Sequence, residues 1–446
     1  MSARWTLHHG DCLAWLRTLE SESVDSVVTD PPAGIGFMGA AWDHHKGGRA
    51  AWVAWLAEVM RECLRVLKPG GHALVWSLPR TEHWTACAVE DAGFEIRDGV
   101  YHLCAQGWPK SLDVSKAIDS AAGAEREVVG RKVYGDGHEQ NSAEPVGFHG
   151  NDPARDVRNV TAPATDDAKR WQGWGTALKP AVERWVLARK PLAGTVAANV
   201  LAHGTGALNV DGCRVECDAL PAIESLGGRS SNTFDGAGGS HAVGETTLGR
   251  WPANVVLSHA ETCGDECDPA CPVRELDART STLRGDVPAK SQRVTMGNVG
   301  ATYGSQKRRE MKPPYTDEGG ASRFFPVFHP FGYFGKAKSK SQRGGENRHP
   351  TVKHLDLMRW LVRLVTPRGG LVLDAFGGSG TTGCAALLEG MRFVGAEQDA
   401  EHHALACKRL AAAEVGGTVV RTVEPAPKPA GRPAVQPSLF GTEGER

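Results

Sequence analysis

With 446 residues, 41% of them hydrophobic, the chain can build a large core and has the length of two or three domains. Its 51 Lys and Arg against 52 Asp and Glu leave a net charge of −1, which rules out a global basic field as the route to a polyanion. No run reaches the roughly 18 apolar residues of a membrane span, the start MSARWTLHHGDCL lacks the apolar centre of a signal peptide, and eleven scattered cysteines suggest a reducing compartment. These features predict a cytoplasmic α/β enzyme with no membrane contact.

From Trp5 to about Asp119, short apolar runs alternate with helical ones. Ser23–Thr29 reads as a strand that ends where Pro31 and Pro32 remove two ladder donors. Trp52, Leu56, Val59, Met60, Cys63, Leu64 and Leu67 recur at helical spacing until Pro69-Gly70-Gly71, and His72–Trp76 is the next strand. From about Ser120 to Phe334 the chain is rich in Gly, Ser, Asn and Asp, with periodicity only around Arg184–Arg189 and Thr195–Leu201. Order resumes near His349. Asp356–Val365 reads as a helix, Gly370–Asp374 as a strand, Thr381–Glu389 as a helix and Arg392–Glu397 as a strand, followed by a Pro-rich tail. Strands alternating with helices predict a mainly parallel sheet, here written in two halves around a long insert. The expected divisions are 1–119, 120–334, 335–415 and 416–446.

Two strand ends carry chemistry. Leu371-Val-Leu-Asp-Ala-Phe-Gly-Gly-Ser-Gly-Thr-Thr-Gly is a strand, a Gly-rich turn and a helix start, where glycines let a ligand approach the backbone closely. The next strand ends on Glu397, nineteen positions beyond Gly378, a spacing at which an acid in a βαβ unit accepts ribose hydroxyls. No Gly-Lys-Ser/Thr is present to cradle a nucleotide phosphate, and Asp374 could hold a cationic group, so an adenosine-like, cationic ligand is expected. In Asp30-Pro31-Pro32 two prolines fix a carboxylate beside a carbonyl. These two acceptors match the two N–H donors of an exocyclic amine.

In these blocks the sequence resembles the β-class amino DNA methyltransferases, which modify adenine N6 or cytosine N4, including phage-type members. The resemblance rests on Gly10-Asp11-Cys12-Leu13, Val27-Val-Thr-Asp-Pro-Pro, Leu67-Lys-Pro-Gly-Gly, Trp108-Pro-Lys-Ser-Leu-Asp-Val, His349-Pro-Thr-Val-Lys353, Leu357-Met-Arg-Trp-Leu and Asp374-Ala-Phe-Gly-Gly-Ser-Gly-Thr-Thr. It implies a Rossmann-like, seven-stranded, circularly permuted methyltransferase sheet whose insert reads the DNA, and S-adenosylmethionine as cofactor. It further implies that Asp374, Phe376, Gly378, Ser379, Gly380 and Thr381 line the cofactor pocket, with Glu397 on the ribose, Asp11 near the adenine and Lys353 near the carboxylate. Asp30, Pro31 and Pro32 would hold the amine of a flipped base. Asp-Pro-Pro, rather than a motif opening on Ser, points to adenine before cytosine.

One position departs from the pattern. Ala33 stands where the family has an aromatic that stacks on the flipped base, a contact worth about 1–3 kcal/mol. Phe37 or Trp42 could replace it; a catalytically weak DNA-binding relative, or a methyltransferase acting on RNA or protein, is the alternative reading.

Three further features lie outside the two halves. Arg279–Lys353 holds fifteen Lys and Arg against five Asp and Glu, a density suited to the phosphates of double-stranded DNA. His259, Cys263, Cys267 and Cys271 recur every fourth residue and could hold one structural zinc. Gln436-Pro-Ser-Leu-Phe440 resembles short peptides that dock on bacterial sliding clamps.

Overall fold

The computed structural model describes residues 4–36, 41–44, 46–103, 111–133, 157–217, 220–225, 240–246, 248–260, 263, 267–269, 271–280, 320–328 and 352–416. In chain order its strands are β1 Trp5–His9, β2 Val24–Thr29, β3 Leu67–Ser77, β4 Glu95–Leu103, β5 Val128–Val133, β6 Val157–Thr161, β7 Val182–Arg189, β8 Leu220–Ser225, β9 Ser240–Thr246, β10 Val255–Ser258, β11 Val327–Phe328, β12 Leu371–Asp374 and β13 Arg392–Glu397. Nine of them form one sheet in the order β1-β13-β12-β2-β3-β7-β4-β10-β11, while β5 with β6 and β8 with β9 form separate antiparallel pairs. Within the large sheet only β7 runs against its neighbours.

Alternation along the central strands builds two cores, one on each face. Val28, Leu74, Trp76, Trp185 and Leu187 pack with the helices Leu355–Val365 and Thr381–Leu388. Val27, Ala73, Val75, Val186 and Ala188 pack on the opposite face with the helices Arg49–Val66 and Glu82–Asp91. The helix Arg49–Val66 buries Trp52, Leu56, Val59, Met60 and Cys63 as one apolar stripe. It follows two positive-φ glycines, Gly47 and Gly48, and stops before Pro69, whose ring cannot continue it.

The sheet has nine strands where the resemblance implies seven. Three of the nine, β7, β10 and β11, come from residues read above as insert. Strand β7 is buried on both faces, so its run Val182–Arg189 lacks the polar alternation that marks a half-exposed strand. Strands β10 and β11 are short parallel additions at the edge.

The chain order creates one crevice. From β12 the chain crosses through Thr381–Leu388 to β13 on one side, and from β2 it crosses through Arg49–Val66 to β3 on the other. At such a switch point the two connections diverge and leave a cleft beyond the carboxyl ends of the strands. Asp30 and Asp374 stand there, at the ends of adjacent strands.

Candidate active site

Polar side chains of β2 fix that junction. Asp25 takes Lys68 Nζ at 2.6 Å and the backbone N–H of Leu371 at 2.6 Å. Ser26 Oγ lies 2.7 Å from Thr366 Oγ1, and Thr29 Oγ1 donates to Asp374 Oδ1 at 2.7 Å. All three are buried, so a slip of β2 against β12 would leave buried polar groups without partners.

Beyond the strand ends lies a cavity of about 650 Å³, lined by Asp11, Asp30, Pro31, Pro32, Ala33, Trp55, Lys353, Asp374, Phe376, Gly378, Ser379, Thr381 and Glu397 among others. All the catalytic and cofactor residues expected above except Gly380 therefore line one space. Gly380 sits behind the loop at φ +78°, and a Cβ there would come 3.0 Å from that of Ala406.

The Gly-rich loop is held from several sides. The backbone N–H of Gly377 donates to Ala396 O at 2.7 Å, and that of Gly378 to Glu397 Oε2 at 2.6 Å. Glu397 Oε1 takes the N–H of Asp399 at 2.7 Å. Arg409 donates to both oxygens of Ser379 and to Thr381 Oγ1, bracing the loop from the helix Ala400–Gly416. Asp11 caps the helix Cys12–Leu16 through the N–H of Ala14 at 2.8 Å. The Asp374 carboxyl accepts from Thr29 and from the N–H of Phe376; burial raises its pKa and the Thr29 and Thr382 hydroxyls oppose that shift.

On the catalytic side, Lys353 Nζ pairs with Asp30 Oδ2 at 2.8 Å and sits 3.9 Å from the centre of the Trp76 ring. Trp76 Nε1 in turn donates to the buried Glu183 at 2.9 Å. Burial pushes Asp30 up to about 6, with the Lys353 ammonium pulling the other way. Lys353, expected at a cofactor carboxylate, is thus paired with the Asp30 carboxylate in the wall of the same cavity.

Asp43 is fully buried and binds the loop after Asp30 from within. Its carboxylate takes the N–H of Gly34 at 2.7 Å and of Ile35 at 3.3 Å, and its carbonyl takes the N–H of Gly36 at 2.8 Å. The same cavity wall carries Trp42 and Trp55 as well as Ala33, and Trp55 meets Phe376 with ring centres 5.8 Å apart. Phe37 lies outside the described residues, as do residues 104–110 and His349.

Sequence reasoning did not find Asp43, Trp55, Trp76 or Glu183. The available signal was position: Trp76 is next to last in β3, and Glu183 is the one acid in β7.

His259, Cys263, Cys267 and Cys271 converge beyond β10, on the β11 side of the sheet, and do not line this cavity. Most of the basic stretch Arg279–Lys353 and the peptide Gln436–Phe440 lie outside the described residues. Among the described residues no helix is long and apolar enough to cross a membrane.

Comparison with known proteins gives the same two blocks. The DNA methylase family model matches residues 24–116 and 301–408. The type II methyltransferase M.BamHI of Bacillus amyloliquefaciens is 31% identical over 74 residues, 17% of this chain and 18% of that protein. The DNA adenine methyltransferase YhdJ of Escherichia coli K12 is 44% identical over 70 residues, 15% of this chain and 22% of that one. The chain thus spans about a fifth of the length of these relatives. The solved PvuII DNA methyltransferase (cytosine-N4-specific) aligns over 92% of this chain and 87% of its own, with 13% identity and a TM-score of 0.40. The two blocks that match the DNA methylase family model carry the Asp-Pro-Pro loop and the Gly-rich loop, and the fold brings both loops to one cavity.

Proposed function

We propose that this protein transfers a methyl group from S-adenosylmethionine to the exocyclic amino nitrogen of a base in double-stranded DNA, with adenine N6 as the target. The observation that carries the reading is the shared cavity, with the Asp30 carboxylate and the Gly-rich loop at the ends of neighbouring strands. Its volume lies within the range of about 300–1,000 Å³ of small-molecule sites.

The residues fit the cofactor. Backbone of the Gly-rich loop allows close approach, the Phe376 and Trp55 rings supply apolar faces, and Asp11 and Glu397 are acceptors for adenosine N–H and O–H groups. S-adenosylmethionine supplies an electrophilic methyl group; the protein supplies position and charge. Asp30 and the Pro31 carbonyl accept the two amine protons and so aim the nitrogen lone pair into the cavity. Two prolines keep these acceptors from rotating apart. Methylation makes the nitrogen cationic, and Asp30, with its pKa near 6, is placed to take the proton it then loses. Trp42 or Trp55 takes the stacking role that Ala33 cannot.

The choice of adenine rests on Asp, not Ser, opening the motif, and a relative named as an adenine methyltransferase supports it. The test is incubation with labelled S-adenosylmethionine and duplex DNA, followed by mass spectrometry of the nucleosides. N6-methyladenine is expected, and Asp30→Ala should abolish it. Labelled N4-methylcytosine would reassign the base, and unlabelled DNA with the cofactor demonstrably bound would overturn the activity.

A further inference from the structure

We infer that His259, Cys263, Cys267 and Cys271 form a structural zinc site that locks the β10–β11 lobe at the rim of the sheet. The four ligand atoms lie within 4.8 Å of one another. Cys263 Sγ is 3.7 Å from Cys267 Sγ, while His259 Nδ1 is 3.4 Å from Cys267 Sγ and 3.5 Å from Cys271 Sγ. A tetrahedral ion with Zn–S near 2.3 Å and Zn–N near 2.0–2.1 Å sets S···S edges of about 3.8 Å and S···N edges of about 3.5 Å. These three separations match those edges and are far longer than the roughly 2.05 Å of a disulfide. Backbone N–H groups of Ala260 and Asp268 point at Cys271 Sγ and Cys263 Sγ, each at 3.4 Å, as suits sulfurs carrying negative charge.

The surroundings explain the need for an ion. Among the described residues the local apolar cluster buries Leu257, Ala260, Cys263, Cys271 and Val273, and two of these five are themselves ligands. So small a core is usually supplemented by a metal or a disulfide. The site joins His259, immediately after β10, to Cys271, immediately before the helix Pro272–Thr280. From that helix Asp277 takes the N–H and hydroxyl of Ser322 at 2.8 and 2.6 Å, and Thr280 Oγ1 takes the N–H of Ala321 at 2.7 Å. The N–H of His259 also donates to Phe328 O at 3.0 Å. One ion thus fixes β10, the helix and β11 as a unit. Because β10 runs parallel to β2, the ion lies on the same rim as Asp30, four strands away, or about 19 Å at the usual spacing. Thr280 and Ala321, joined on this unit, lie at the borders of the part of the basic stretch that is outside the described residues.

The test is metal analysis of the full chain, purified without chelator or metal-affinity resin. Roughly one zinc per chain is expected, displaced by a thiol-specific mercurial. Exchange into cobalt(II) should give the intense near-ultraviolet thiolate-to-metal absorption and visible bands of a tetrahedral thiolate site. Cys267→Ser should lose most of the zinc and the cobalt signal, while Cys87→Ser, outside the cluster, should keep both. Folded wild-type protein without zinc and without cobalt absorption would overturn the inference, as would a Cys267→Ser variant that retains the full complement.

Discussion

At the scale of single residues, the Asp30–Lys353 pair sets how the site responds to pH. In the proposed reaction it is the ionised Asp30 that accepts the amine protons, and burial pushes its pKa up to about 6 against the pull of Lys353. Methylation should therefore be full above that pH and decline as the pH falls through it, in a single-turnover rate profile. Lys353→Met removes the opposing cation, so Asp30 should become harder to ionise and the acid limb should move to higher pH. An unchanged limb would mean that a different group controls the profile. Asp43 acts one step further back. Asp43→Ala leaves the N–H groups of Gly34 and Ile35 without their acceptor, at a cost of about 1–3 kcal/mol for each donor that stays buried. The expected result is a slower methyl transfer with cofactor affinity retained by calorimetry, partly rescued by Asp43→Asn.

At the scale of elements, the Gly-rich loop offers a sharp test. Gly380 has φ +78° and faces Ala406 across a closely packed contact, so Gly380→Ala combines a left-handed backbone with crowding. We expect a loss of stability of about 1–3 kcal/mol in urea unfolding. The sequence made this element readable because a strand, glycines, a helix and an acid follow one another within a single βαβ unit, and both Thr381–Leu388 and Arg392–Glu397 fall where periodicity puts them. The same holds for Asp30 at the end of β2. Strand β7 was not readable: burial on both faces erases the alternation, and its partners β3 and β4 are about a hundred positions away. Glu183 and Trp76 were hidden for the same reason, since their bond joins β7 to β3 and no local spacing encodes it. The Cys/His cluster was visible as a four-residue repeat, but its convergence depends on a chain path interrupted by Pro269 that no helical spacing would give.

At the scale of the whole molecule, the two halves are not separable bodies. Strand β12 lies between β2 and β13, and β1 pairs with β13, so residues from both ends alternate across one half of the sheet. A fragment comprising residues 1–351 lacks β12 and β13 and leaves buried Val24, Val27 and Val28 without their neighbours. Expressed alone it should aggregate; co-expressed with residues 352–446 it should become soluble and regain cofactor binding, as gel filtration and calorimetry would register. Strand insertion also has a consequence in time. Strand β2 leaves the ribosome some 345 residues before β12, counting from Thr29 to Asp374. At synthesis rates of about 5–20 residues per second, that is a delay on the order of tens of seconds. For that interval the nascent chain carries an apolar strand with one open edge, the kind of surface that chaperones hold. The catalytic cleft is thus among the last features to close, and no truncated translation product can present a complete site.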